Sequence, residues 1–318
     1  MSIKIERDYY IKKKTKLMKD FNKYIFSIPK LLEEKYDDAK IDKIIKQMNE
    51  EFEKLIPKIP YIGGTKNYYT RVLVQIISNM AIFLVLEKEG LTYREIGELF
   101  YEFVDIHHRI RKERHERSGG DPTNLMFEPT VINQAKFIAE TSQKRNFPYD
   151  WVVEFVEGHG ISFEYDLDIT ECGVYKIFKE LGVEKYVPLQ CVNRIREAHI
   201  FGYGVYRTQS LAIGAPSCDY RYTKTLKSPH KITEEEVSHY KEKKICLVCK
   251  ANIEGFNNYI CPKCEVLYCD HCAHSLIDLE NTCWVCDAPL DESIPSKPYK
   301  RKEVETPIKK SSQKKVFF

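Results

Sequence analysis

Apolar residues recur at helical spacing through the first part of the chain. Leu17, Phe21, Tyr24 and Ile25 form one such series, and Ile41, Ile44, Ile45, Met48, Phe52 and Leu55 form the next. This i, i+3, i+4 recurrence marks one face of an amphipathic helix. Residues 10–57 therefore read as helical, punctuated by Pro29, Pro57 and Pro60, and "YIGGTKN" (61–67) reads as a turn. Further helices are predicted at roughly 68–89, 92–117 and 130–145. Thr92 followed three residues later by Glu95 has the spacing of a capping box. The apolar run 72–86 is broken by Gln75, Ser78 and Asn79. It reads as a buried core helix, too short and too interrupted to span a bilayer.

Near residue 150 the period changes from helical to alternating. "WVVEFVEG" and "ISFEYDLDIT" flank Gly158-His159-Gly160, a hairpin signal. Residues 171–182 read as a helix closed by Gly182, and 187–202 as a second helix. "GVYRTQSLAIGAPSCDYRYTK" then reads as strand, turn, strand. The order β-β-α-α-β-β after a helical half predicts an α+β fold: a helical N-terminal half plus a small antiparallel sheet with two helices. The expected divisions are a domain over 1–228, a cysteine-rich module over 244–290 and a disordered basic tail over 291–318.

Composition narrows the class. The chain is 43% hydrophobic and 31% charged over 318 residues, with a net charge of +3. That balance suits a soluble globular protein and does not point to nucleic acid or to an anionic membrane. The first residues, "MSIKIERDYYIKKKTK", lack the apolar segment of an export signal. A reducing cytoplasm is the expected location, so paired cysteines point to metal rather than to disulfides.

Eight of the 11 cysteines fall in four Cys-x-x-Cys turns: Cys246/Cys249, Cys261/Cys264, Cys269/Cys272 and Cys283/Cys286. Each turn aims two sulfurs at one ion, and two turns complete a tetrahedral site, so the expectation is two structural Zn2+ ions. Sequential and interleaved wiring are both open. The four residues between Cys264 and Cys269 leave little chain for two independent lobes, which favours interleaving. Over these 41 residues the spacing resembles the RING/PHD/FYVE cross-brace zinc fingers, which implies a treble-clef-like module with a short helix in "CAHSLIDLEN". All ligands come from protein, which implies a structural or protein-binding role. Acidic residues outnumber Lys250 and Lys263 in the module, which argues against nucleic acid. Trp284 stands where many RING ligases carry proline, and Asp287 where many carry a basic residue. Histidines 271 and 274 are expected to be packed or surface groups, because the cysteines already complete both sites.

Residues 168–224 carry the second resemblance. Cys172 sits at a strand-to-helix step, "KELG" precedes a loop, Cys191 opens the next helix, and "YRTQSLAIG" and "CDYRYTK" follow. In this order they resemble the L-2-amino-thiazoline-4-carboxylic acid hydrolase family. That resemblance implies hydrolysis of a C–N or C–S bond in a small cyclic amidine-like carboxylate. The candidate nucleophiles are Cys191 and Cys218, and the candidate acid or base is Asp219. Arg207, Arg221 and Thr208 are candidates for the substrate carboxylate, which a guanidinium fork matches bidentately. Members of that family often carry an aspartate where this chain has Arg194, so the resemblance implies either another acid or another substrate. Strand alternation places Cys218, Tyr220 and Tyr222 on one face and Asp219, Arg221 and Thr223 on the other. The plain alternative for Asp219 and Arg221 is an exposed cross-strand pair. The alternative for the whole protein is a non-catalytic ligand sensor or scaffold whose zinc finger recruits a protein partner, with RING-like ubiquitin ligation as one form. The basic stretch "HHRIRKERHER" (107–117) reads as a solvated helix face. "FGYG" (201–204) lacks the following helix a phosphate loop needs.

Overall fold

The structure, a computed structural model, describes residues 8–158, 163–207, 210–213, 215–224, 241–242, 244–248, 253, 258–279, 281–283, 285–286 and 288–291. Cys249, Thr208, His159, Trp284, Asp287, most of the 225–243 segment and the tail from 292 lie outside the described residues.

The helical half follows the apolar spacing closely. Helices α1 (Lys14–Tyr24), α2 (Ile28–Leu32) and α3 (Asp38–Leu55) are separated at the turns around residues 25–27 and 33–37. Asp37 caps α3 by accepting from Lys40 N at 2.8 Å. Helix α4 (Tyr69–Lys88) packs against α3 and is buried on nearly every side. It is longer than the apolar run that announced it. By length and composition this 20-residue helix is sufficient to cross a membrane, yet in the fold it is the central core helix. Its interrupting polar residues are accommodated by hydrogen bonds: Asn79 donates to Gln190 Oε1 at 2.9 Å and accepts from the Tyr24 hydroxyl at 2.8 Å. A buried amide is tolerated only with such partners.

Helix α5 (Tyr93–Arg117) begins in the capping box anticipated at Thr92. Thr92 Oγ1 accepts from Glu95 N at 3.3 Å, and Glu95 Oε2 accepts from Thr92 N at 2.7 Å. Thr92→Ala is expected to cost about 1 kcal/mol by chemical denaturation, without a change in denaturant sensitivity. An unchanged unfolding midpoint would show that the cap carries no stability. The basic C-terminal part of α5 is not wholly a solvated face, in contrast to the sequence reading. His107 Nε2 lies 2.9 Å from Tyr24 O, and buried His108 lies 2.7 Å from Asn193 Oδ1. Arg111 is ion-paired to Glu197. Packing of α5 against the later helix that carries Asn193 and Glu197 accounts for His108 and Arg111, and contact with the end of α1 accounts for His107.

Helix α6 (Pro129–Ser142) lies on the first strand of a four-stranded antiparallel sheet. Its strands are β1 (Val152–Glu157), β2 (Tyr165–Glu171), β3 (Gly204–Tyr206) and β4 (Cys218–Thr223), in the order β1-β2-β4-β3. Helices α7 (Gly173–Glu180) and α8 (Val187–Phe201) connect β2 to β3. Gly202 ends α8 at φ +93, the left-handed conformation that returns the chain into β3. Helix α8 packs against α5 and β3, and so closes one face of the sheet.

The cysteine-rich segment has a small core of its own, built from Leu247, Val248, Ile253, Val266, Tyr268, Leu276 and Leu290 with four buried cysteines. Its described elements are the hairpin β5 (Asn258–Ile260) and β6 (Leu267–Cys269), followed directly by α9 (Asp270–Leu279). The short helix thus starts two residues before Cys272. Asn281 adopts φ +45, donates to Asp291 O at 2.7 Å and accepts from Asp291 N at 2.8 Å.

Candidate functional site

Two chemistries emerge, one on the sheet and one in the cysteine-rich module. On the sheet, β2 and β4 pair antiparallel with Ile169 opposite Cys218, Asp168 opposite Asp219, Leu167 opposite Tyr220, Asp166 opposite Arg221 and Tyr165 opposite Tyr222. Successive side chains of a strand point to opposite faces, so this register sorts the candidates into two groups.

The face toward α8 carries Cys218, Tyr220 and Tyr222. Cys218 is 4% exposed, and its Sγ accepts from Leu211 N at 3.2 Å and lies 3.6 Å from Ser210 Oγ. Burial, then the neighbouring Cys191, push the Cys218 thiol pKa up, against the pull of Arg207. Arg207 reaches the Tyr220 hydroxyl at 3.4 Å and Ser210 Oγ at 3.5 Å, with its guanidinium 5.5 Å from the Tyr220 ring centre. Cys191, half-buried and one turn into α8, lies beside the Arg207 guanidinium. Cys172, at the N-cap of α7, is near both thiols, and burial pushes its pKa up to about 12. Cys191, Cys218 and Arg207 therefore share one face, with Ser210, Tyr220 and the Leu211 amide as neighbours that the sequence reading did not single out.

Asp219 and Arg221 occupy the other face. Arg221 binds Asp166 at 2.6 Å and Asp219 at 3.4 Å, and its guanidinium stacks 5.0 Å from the Phe163 ring centre. The pair is not an exposed one. Asp166 and Asp219 are both fully buried, so the β-ladder and its cover enclose the acids. The sheet itself separates Asp219 from the two cysteines, and Arg221 is committed to carboxylates. Burial first, then Asp168 and Asp219 against Arg221, raise Asp166 from 3.8 to about 6. A carboxyl that binds its proton more firmly when folded contributes stability below pH 4 that is lost as pH rises through 6. The stability of the natural chain relative to Asp166→Asn is therefore expected to fall by roughly 2 kcal/mol between pH 4 and pH 7. A flat difference across that window, measured by denaturant unfolding, would remove the assignment.

In the module, the sulfurs of Cys261, Cys264, Cys283 and Cys286 lie within 4.8 Å of one another, and so do those of Cys246, Cys269 and Cys272. The first and third turns thus share one site, the second and fourth the other, which is the interleaved arrangement. Sulfur separations of 3.6 Å for Cys261–Cys286 and 3.5 Å for Cys264–Cys283 approach the roughly 3.8 Å expected across a tetrahedral ion with bonds of about 2.3 Å. Tyr268 OH at 3.1 Å and Val285 N at 3.4 Å supply hydrogen bonds to Cys283 Sγ of the kind that hold a thiolate ligand in place. Both groups can hold a metal ion, and the sequence offers Cys249 to complete the second. Glu265 follows the Cys261/Cys264 turn at φ +58, with its N bonded to Cys261 O at 2.9 Å. His274 is exposed and bonds Asp270 O at 2.9 Å, apart from either group.

An α+β body with thiols and a guanidinium on one sheet face, joined to a two-centre cysteine module, defines the class. Residues 70–222 match the model of the L-2-amino-thiazoline-4-carboxylic acid hydrolase family. The match spans α4 through β4 and includes both candidate thiols and Arg207. No curated protein and no solved structure matches the chain.

Proposed function

We propose that the protein is a hydrolase that opens a small cyclic amidine-like carboxylate, with Cys191 as nucleophile and Arg207 as the carboxylate's partner. The juxtaposition of Cys191 with the Arg207 guanidinium carries this reading. Thiolate addition to the carbon between the two ring heteroatoms would be followed by cleavage of the ring bond, with the leaving atom taking a proton. Water would then add to that carbon and expel the cysteine, so that one water is consumed per turnover. Cys218, more buried and already hydrogen-bonded, suits a supporting place beside Ser210. Asp219 is the weaker candidate for the proton, because the sheet lies between it and the thiols. Tyr220, whose hydroxyl reaches Arg207, stands on the correct face.

The module, in this reading, holds two zinc ions and serves as a structural or protein-binding element. Zinc is supported by the all-thiolate ligand sets and the sulfur spacings.

A second reading, a ligand-binding sensor whose module recruits a protein, is favoured by one observation: the sheet lies between Asp219 and the thiols. The test is incubation of the full metal-loaded chain with L-2-amino-thiazoline-4-carboxylate, following loss of the ring chromophore. Turnover supports the hydrolase; binding without turnover supports the sensor.

A further inference from the structure

A cleft of about 560 Å3 opens between the turn at 61–67, the second half of α6 and the segment that leads into β1. None of Cys191, Cys218 and Arg207 lines it. Its size suits a small molecule. Aromatic side chains form its walls: Tyr61, Tyr68 and Tyr69 from the turn and the start of α4, Phe137 from α6, and Phe147. Gly63 lets the turn approach Phe147. It adopts φ +104, and a Cβ there would stand 3.0 Å from the Phe147 ring. Tyr61 meets Phe147 edge-on at 5.6 Å, and Tyr69 stacks on Trp151 at 4.5 Å, so these rings are held in place. Tyr68 and Phe137 are 49% and 64% exposed, so solutes reach them. Exposed aromatic rings gathered around a concave surface are the mark of a ligand site.

The lining contains one acid. Asp150 is half-buried, accepts from Trp151 N at 2.8 Å and from Asn67 Nδ2 at 2.5 Å, and is in no ion pair among the described residues. Asn67 is fixed in turn by donating to Ile62 O at 2.6 Å and accepting from Tyr69 N at 2.8 Å. Two donors leave part of the carboxylate's capacity to accept unused. Burial pushes the Asp150 pKa up against those hydrogen bonds, so its charged form lacks solvation that a cation would replace. The charges nearby are otherwise placed. Lys176, which does not line the cleft, gives its ammonium to Glu171 at 2.5 Å and to the carbonyls of Pro148 and Asp150 at 2.8 and 3.2 Å. Arg145 is paired with the same Glu171. Lys66, the one cation in the lining, is exposed, where water and salt screen it. A carboxylate without an ion-pair partner among aromatic faces is suited to an organic cation.

We propose that this cleft binds a small aromatic amine in its ammonium form, with Asp150 taking the cation and Tyr68 and Phe137 the ring. The inference does not rest on the hydrolase reading, because it uses none of the residues of that site.

The test is calorimetric titration of the full metal-loaded chain with benzylamine at neutral pH. The comparisons are propylamine, which has the cation without the ring, and benzoate, which has the ring with the opposite charge. Benzylamine is expected to bind about fivefold or more tightly than propylamine. It is expected to bind about tenfold or more tightly than benzoate. Phe137→Ala, at an exposed helix position, is expected to reduce the advantage over propylamine by about threefold. Asp150→Asn is expected to weaken both amines by about tenfold; if that variant does not fold, the alanine variant and the benzoate comparison carry the test. Three results would each overturn the proposal: no binding of benzylamine, benzoate bound as tightly as benzylamine, or a benzylamine affinity that survives both substitutions. Cys191→Ala is expected to bind benzylamine as the natural chain does, so a failure of turnover and a failure of this inference are read separately.

Discussion

Cys191→Ala is expected to lower kcat/KM for ring opening by about 10³-fold or more, while Cys218→Ala lowers it far less. The ranking follows from where the two thiols sit. Cys218 is 4% exposed, accepts the Leu211 amide and contacts Ser210. Its thiol is pushed up by burial, so at neutral pH it stays protonated and a poor nucleophile. Cys191 is half-buried, and the Arg207 guanidinium stands against it. Removing Cys218 leaves a small void and an unanswered amide, a stability cost of roughly 1–3 kcal/mol rather than a loss of chemistry. Steady-state kinetics on both variants, with melting curves to separate folding from catalysis, decides the matter. If Cys218→Ala is the inert variant and Cys191→Ala the active one, the assignment is reversed.

Removal of metal is expected to unfold the C-terminal module while the helical body stays folded. Metal analysis is expected to find about two zinc ions per chain; about one would break the eight-thiolate arrangement. Structural zinc in comparable small modules contributes roughly 10–16 kcal/mol to folding. The apolar core here, centred on Tyr268, Val266, Leu247 and Leu276, is too small to replace that. Cys261→Ser is expected to lose one ion and to expose the segment from 258 to 291 to protease. The consequence reaches the sheet, because α9 packs against the Leu211–Ile213 turn. That turn supplies the amide that reaches Cys218. Chelation is therefore also expected to increase the labelling rate of Cys218 by a thiol reagent, measured by mass spectrometry. A Cys218 that labels at the same rate with and without metal would show that the module and the sheet are uncoupled.

The mixture of what was and was not legible follows the range of each interaction. The helices at 69–88 and 93–117, the capping box at Thr92 and the four strands were readable from period and end signals, because these depend on residues a few positions apart. The partition of Cys218 from Asp219 was also readable, because strand alternation is local geometry. The burial of Asp219 and Asp166 was not. Alternation says which side a residue faces and not whether that side is covered. The pairing of His108 with Asn193 and of Arg111 with Glu197 spans more than 80 positions, which is why a basic helical stretch read as solvated turns out to be partly tied into the body.

By itself the sequence determined the element types, the α+β class and the pairing of cysteines within each Cys-x-x-Cys turn. All of these are set by spacings of two to four residues. Only the tertiary structure decided which two turns share a site and that Cys191 and Arg207 meet. Those facts need segments far apart in the chain to pack against one another, and neither periodicity nor local geometry carries that information.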